Sequence, residues 1–272
     1  MGQNLRGFLS DNPGLVSLVA ALYLYGIYAV SEKSVIAPGS FPEGSSLQIM
    51  LLSGTGLFYL VLTGLYLIHR GRSLEPVSGD LRDNIPLIWG GAFVLYGIVM
   101  LGVLLDALGL YTESLPSKFF LTRQFMIIWA AAIGYGLVKF RMRSGFYRRL
   151  VPGTILLAGY SWFAWGLLVQ KSIEYTMYGF TSFIWVPVTF TFAYLFWKYS
   201  RGTGKRGLRW LSAGMAFMGG TYILWAPTHT SRLYLAAFAL YDIALGLILV
   251  GVTNVPWEKM EEVDTPFEFI DS

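Results

Sequence analysis

Charged side chains are rare inside the long apolar stretches of this 272-residue chain, and three of them stand out. Asp242 lies in the stretch LYLAAFALYDIALGLILVG, ten residues after Arg232, which corresponds to roughly 15 Å along a helix. By the same rise, Arg123 lies about 7 Å inside its own stretch, and Asp106 lies near the end of the preceding one. Because ionisable groups within a membrane span are disfavoured, each is a candidate functional residue, with Gln124 as a weaker polar candidate.

Two ion pairs compete for Arg123. A short loop joins the stretches that hold Asp106 and Arg123, so an antiparallel hairpin brings both residues to similar depths and favours a structural ion pair. In the alternative, Arg123 pairs with Asp242 across the bundle and forms a charged gate or a proton-relay element. A mid-depth carboxyl without a charged partner is expected to be neutral, and it could also serve as a simple hydrogen bond between helices.

The side chains that usually hold metals and cofactors are almost absent, because the chain has no cysteine and only two histidines. The lack of cysteine excludes disulfides, thiolate nucleophiles and iron–sulfur clusters. His69 and His229 fall in gaps on opposite sides of the predicted membrane, so they cannot both ligate one haem or one copper centre. We therefore expect no cofactor or metal. Four tryptophans lie deep in the predicted spans, namely Trp129, Trp162, Trp165 and Trp185. A non-covalently bound quinone, carotenoid or lipid in a pocket lined by them is the alternative to packing, which is their favoured role.

Eight apolar stretches of 18 to 23 residues run through the chain. They cover residues 13–30, 47–68, 86–108, 119–138, 152–170, 177–197, 208–226 and 233–252. A helix needs about 20 residues to cross the hydrocarbon layer, and only helices or closed barrels satisfy the backbone there. The sequence therefore predicts an all-α, polytopic transmembrane bundle with eight spans. Pro187 within the sixth span predicts a kink.

Clusters of basic residues lie in every second gap between these stretches, whereas the intervening gaps hold one basic residue each. This alternation of rich and poor gaps predicts the orientation of the chain in the membrane. The rich gaps contain Arg70, Arg72 and Arg82, then Lys139, Arg141, Arg143, Arg148 and Arg149, then Lys198, Arg201, Lys205, Arg206 and Arg209. Short loops rich in lysine and arginine stay in the cytoplasm, so we expect both termini inside the cell and the bundle in the cell membrane. If the first stretch, which is the least hydrophobic, did not cross, seven spans and an external N-terminus would follow.

The predicted bundle covers residues 1–256 as a single domain, and an acidic cytoplasmic tail follows at 257–272. A weak four-plus-four repeat relates 13–140 to 152–252. The net charge of +4 comes from loops that face anionic lipids, so nucleic acid is not an expected partner. Glycine-containing clusters at 53–56, 90–91, 134–136 and 219–220 predict places where helices approach closely.

The positions of Arg123 and Asp242 resemble those of an arginine and an aspartate in the microbial rhodopsins. The resemblance covers these two residues only. The place of that family's retinal-bearing lysine, one helical turn after the aspartate, is Gly246 in this chain. Covalent retinal chemistry is therefore excluded, and membership of that family is not inferred.

The scarcity of buried polar groups favours a role without catalysis. The preferred hypothesis is a cofactor-free integral subunit of a larger membrane complex, with membrane lipids and other membrane subunits as partners. The alternative is a small-solute or ion transporter or channel with Asp242 and Arg123 on the route. An enzyme acting on lipids ranks last, because the chain lacks the paired carboxylates and nucleophile–base sets that such chemistry requires.

Overall fold

Seven helices make up the part of the chain that the structure describes. The computed structural model describes residues 46–74, 84–108, 110, 115–139, 145–165, 168–169, 184–225 and 233–257. The helices are α1 (Ser46–Ser73), α2 (Ile85–Ala107), α3 (Leu115–Lys139), α4 (Gly145–Trp165), α5 (Val186–Thr203), α6 (Arg206–Trp225) and α7 (Leu233–Thr253). No strand occurs among these residues, so the predicted all-α class is confirmed for them.

Each of the seven helices overlaps one of the second to eighth predicted spans, but α4 starts before the predicted 152–170 and α5 covers only the second half of the predicted 177–197. Three of them are long and apolar enough to cross a membrane, namely Leu47–Ser73 in α1, Ile85–Leu105 in α2 and Leu235–Thr253 in α7. Gln124–Lys139 in α3 is a shorter apolar helix. The count of eight spans and the location of the termini stay predictions, and the first predicted span, at 13–30, lies outside the described residues.

Most of the described helices that are neighbours in the chain pack against each other, with α4 and α5 as the exception, and α7 packs against α1. The packed pairs are α1–α2, α2–α3, α3–α4, α5–α6, α6–α7 and α1–α7, with a smaller contact between α3 and α5. The pairs in chain order are antiparallel, whereas α1 and α7 are parallel, with Gly56 and Tyr59 beside Asp242 and Gly246 respectively. Six helices thus enclose a common core, and α4 packs on α3.

Five buried rings, which we term the aromatic core, fill the space between these helices: Tyr96, Trp129, Trp185, Tyr222 and Tyr241. The ring centroids of Trp129 and Trp185 are 5.5 Å apart, and Tyr96 lies 5.2 and 5.8 Å from them. Tyr222 lies 5.8 Å from Trp185 and 6.1 Å from Tyr241. These spacings are those of packed aromatic pairs, so Trp129 and Trp185 belong to the core packing.

Glycine allows the closest helix contacts, as the glycine clusters predicted. A Cβ on Gly64 of α1 would lie 2.8 Å from the carbonyl oxygen of Gly90, and a Cβ on Gly90 would lie 2.8 Å from that of Gly64. Any larger residue would force α1 and α2 apart. The neighbouring Gly91 is different, because a Cβ there would meet nothing within 4 Å among the described residues.

Two local expectations differ from the structure. Pro187 does not kink the interior of a described helix, because α5 begins at Val186 and Pro187 lies in its first turn, where its missing N–H is not needed. Trp257, the first residue of the predicted tail, is buried against Trp89 with ring centroids 5.6 Å apart. Its Nε1 donates a hydrogen bond to the Val252 carbonyl oxygen at 3.0 Å. The bundle therefore includes Trp257, and the rest of the tail lies outside the described residues.

The helix directions gather basic residues at one end of the bundle, which we term the basic end. Asn84 ties α1 to α2 there, because its Oδ1 accepts a hydrogen bond from the Leu87 N–H at 3.0 Å while its Nδ2 donates to the Gly71 carbonyl oxygen at 2.6 Å. This arrangement caps the start of α2. The same end holds Arg70, Arg72, Lys139, Arg201, Arg206 and Arg209.

Candidate functional site

Asp242 is a buried acid at the interface between α7 and α1, with only 8% of its surface exposed. Neither of its carboxyl oxygens has a hydrogen-bond partner among the described residues. A Cβ placed on Gly56 of α1 would lie 3.0 Å from Asp242 Oδ1, 3.1 Å from the Met100 methyl group and 3.6 Å from a Leu245 methyl group. The Oδ1 atom therefore borders a space that glycine leaves open, together with the methyl groups of Met100 and Leu245.

A second contact between the same helices lies one turn further along. Gly246 of α7 faces the ring of Tyr59, whose Cζ and hydroxyl oxygen would lie 3.7 and 3.8 Å from a Cβ at that position. Because α1 and α7 run parallel, the pairs Gly56–Asp242 and Tyr59–Gly246 follow each other along one seam. Each pair matches a glycine with a larger polar residue, which lets two helices with polar side chains pack closely.

A cluster of three buried tyrosines begins next to Asp242. The hydroxyl oxygens of Tyr96 in α2 and Tyr222 in α6 are 2.9 Å apart and share a hydrogen bond. Tyr241, the residue before Asp242, packs its ring edge-on against Tyr222. The cluster thus joins α2 to α6 through a hydrogen bond and α6 to α7 through a ring contact. The shared hydrogen bond offsets the cost of burying the hydroxyls of Tyr96 and Tyr222 in an apolar interior.

Arg123 and Asp106 are the two predicted site residues whose side chains lie outside the described part of the structure. Neither predicted ion pair is therefore tested. Their helices are described, and so is Gln124, which is half-buried in α3.

The register of α2 against α3 gives the relative depths of these residues. Trp89 Nε1 donates a hydrogen bond to the Ala132 carbonyl oxygen at 3.0 Å, and the ring of Phe93 lies 5.5 Å from that of Trp129. Continued along α3, this antiparallel register places Arg123 at the level of Met100, the residue whose methyl group flanks Gly56 and Asp242. At 1.5 Å per residue, Asp106 lies roughly 10 Å farther along α2.

A similar depth in the bundle does not by itself place Arg123 in contact with Asp242. Helices α3 and α7 are not among the packed pairs of the described residues, whereas α2 and α3 are direct neighbours. Asp106 therefore lies on the adjacent helix at a different depth, and Asp242 lies at a similar depth on a helix across the core. Among the predicted site residues, Asp242 is a buried acid whose side chain and contact with α1 the structure describes.

Sequence reasoning located Asp242 but missed the groups around it. Gly56 belongs to a cluster that predicted close helix approach, yet nothing in the sequence says which helix approaches it. The three tyrosines also went unnoticed, although a tyrosine in the middle of an apolar helix usually signals a hydrogen-bond partner from another helix. Among the described residues, no group of three histidines, cysteines or acids is placed to hold a metal ion.

No protein-family model, curated protein or solved structure matches this chain. A functional assignment therefore depends on the Asp242 site and on the surface that the bundle presents.

Proposed function

We propose that this protein is an integral subunit of a larger complex in the cell membrane, acting by helix packing and without a cofactor of its own. The observation that carries the proposal is a row of small residues on the outer face of α4. We term this the α4 face, and it consists of Gly153, Thr154, Ala158 and Ser161.

The α4 face has the composition of a surface that packs against another transmembrane helix. All four residues are exposed; Thr154, Ala158 and Ser161 follow at spacings of four and three positions and share one side of α4, and Gly153 lies at its edge. Small residues let two helix backbones approach, and the hydroxyls of Thr154 and Ser161 can hydrogen-bond across the contact. Next to them, Leu157 leaves 70% of its surface uncovered, which supplies an apolar side chain for the same contact.

Gly153 adds an energetic argument. Glycine within a helix is less favourable than alanine by about 1 kcal/mol, so a helical glycine is usually explained by a close contact. A Cβ on Gly153 would meet nothing within 4 Å among the described residues. A contact with another membrane protein would explain its presence.

The test is gentle detergent extraction from the native membrane followed by native mass spectrometry. We expect the chain to leave the membrane in a stoichiometric complex with other membrane proteins. We also expect Gly153→Leu to break that complex, whereas Ile243→Ala, at an exposed side chain of α7, preserves it. A wild-type protein that is only monomeric or homodimeric contradicts the proposal, and so do two variants that behave alike.

A second candidate function is the passage of an ion or a small solute, with Asp242, Arg123 and Gln124 on the route. The specific observation in its favour is the Asp242 carboxyl, whose oxygens have no hydrogen-bond partner among the described residues. The packed aromatic core argues against an open channel, so such a route would require the helices to move. A flux assay in proteoliposomes comparing wild type with Asp242→Asn tests this alternative.

A further inference from the structure

We propose that the Asp242 carboxyl, enclosed between α1 and α7, is an exchangeable proton-binding site. This inference goes beyond the subunit role, since it concerns a site inside the bundle and holds whether or not partner proteins bind to α4. It also names the ion that the second candidate function would involve.

The first argument is the chemical character of the surrounding atoms. The space beside Gly56 is bordered by Asp242 Oδ1, the methyl group of Met100 and a methyl group of Leu245, and neither carboxyl oxygen has a hydrogen-bond partner among the described residues. An ionised carboxylate in such surroundings would lose its hydration and gain no compensating donor, whereas the neutral acid can be buried at much lower cost. The site therefore favours the form that carries a proton.

The second argument separates a proton from a metal cation. Cations such as Ca²⁺ require six to eight oxygen ligands, and Mg²⁺ requires an octahedral set. Asp242 contributes two oxygens, and the other two atoms that border the space beside Gly56 are methyl carbons of Met100 and Leu245. A single proton needs only one of those oxygens, so it is the ion that this site can hold.

The third argument concerns the titratable groups around the carboxyl. Tyr59 of α1 lies one turn away beside Gly246, and Tyr241 of α7 connects to Tyr96 of α2 and Tyr222 of α6. All four side chains are phenols. No charged side chain among the described residues acts on Asp242. Burial therefore holds the proton on the carboxyl in this arrangement, because no described group donates a hydrogen bond to it.

Infrared spectroscopy of the full-length protein in lipid, with its aspartates labelled by ¹³C at the side-chain carboxyl, tests this proposal. At neutral pH we expect a C=O band of a protonated, weakly hydrogen-bonded acid that shifts with the label and shifts again in D₂O. Asp242→Asn should abolish the band, and Asp106→Asn should preserve it. If Asp242→Asn fails to fold, Gly56→Ala serves instead. Its methyl group would touch Oδ1 and shift the band, whereas Gly91→Ala would leave the band unchanged.

Three results would overturn the proposal. The first is the absence of a protonated-acid band in the wild type. If the band is absent there but appears in Arg123→Gln, Asp242 is the ionised partner of Arg123. The second is a band that never shifts in D₂O, since the proton would be permanently trapped. The third is a band that survives Asp242→Asn. Proton binding without proton flux in proteoliposomes would instead contradict only the passage of protons.

Discussion

The Oδ1 atom of Asp242 lies 3.0 Å from the position that a Cβ on Gly56 would occupy. An acid on α7 and a glycine on α1 therefore form one structural unit, because the acid fits only where the opposite helix has no side chain. Met100 of α2 closes the same space with its methyl group. This three-helix contact is the most distinctive feature of the described bundle, and it can be tested by changing either partner.

Replacement of Gly56 by alanine should destabilise the bundle. The new methyl group would crowd both Asp242 and Met100, and overpacking of this kind costs about 1–3 kcal/mol. Thermal unfolding in detergent measures the effect. Gly91→Ala is the matched control, because its methyl group meets open space and alanine favours the helix by up to about 1 kcal/mol. Equal unfolding temperatures for the two variants would contradict the proposed contact.

The shared hydrogen bond of Tyr96 and Tyr222 predicts a non-additive pair of substitutions. Tyr96→Phe or Tyr222→Phe alone removes one hydroxyl of the shared hydrogen bond, and the loss of one partner from a buried polar pair costs about 1–3 kcal/mol. The double variant removes both hydroxyls and should lose less than the sum of the single variants. Tyr194→Phe, at a residue that is 54% exposed, should change stability very little. Additive losses in chemical denaturation would show that the hydroxyls act separately.

Arg123 offers a test of the two competing ion pairs. We expect Asp106→Asn and Arg123→Gln to couple by about 0.5–3 kcal/mol in a double-mutant cycle, because α2 and α3 are direct neighbours and a long, flexible arginine side chain can extend along the offset of roughly 10 Å between the two positions. Asp242→Asn and Arg123→Gln should add within about 0.5 kcal/mol, since the proton-binding proposal gives Asp242 no charged partner. The reverse pattern in unfolding measurements would assign Arg123 to Asp242.

The sequence predicted the helices well because the signal is local. Seven of the predicted apolar stretches each overlap a helix of the structure. A continuous apolar segment can be identified from its own residues, without knowledge of a distant partner. Pro187 illustrates the limit at the ends of elements. A proline inside an apolar stretch indicates either a kink or a first turn, and only the backbone before it decides between them.

The candidate site was predictable in part for a similar reason. Asp242 stands out because a carboxyl is rare in so apolar a helix. Gly56, which makes room for it, lies far away in the chain, as Tyr222 does from Tyr96. Such pairs depend on which helix faces which and in what register, and this information is not contained in any local pattern. Contacts between distant helices are therefore where the structure adds most.

The location of the basic end can be measured directly, because the chain has no native cysteine. Single cysteines at Lys205, beside the basic end, and at Thr230, in a predicted external gap, can be treated with a membrane-impermeant thiol reagent on intact cells. We expect Thr230→Cys to react at once and Lys205→Cys to react only after permeabilisation, because basic loops stay in the cytoplasm. Immediate labelling of Lys205→Cys would reverse the predicted orientation.

Cross-linking from the α4 face tests the proposed subunit role most directly. Ala158→Cys, in the cysteine-free chain, places a thiol in the middle of that face, and Ile243→Cys on α7, where 51% of the side chain is exposed, is the control. In native membranes treated with a short thiol-reactive cross-linker, we predict that Ala158→Cys joins one specific membrane protein in high yield and that Ile243→Cys does not. Failure of Ala158→Cys to form any product beyond that of Ile243→Cys would contradict the account.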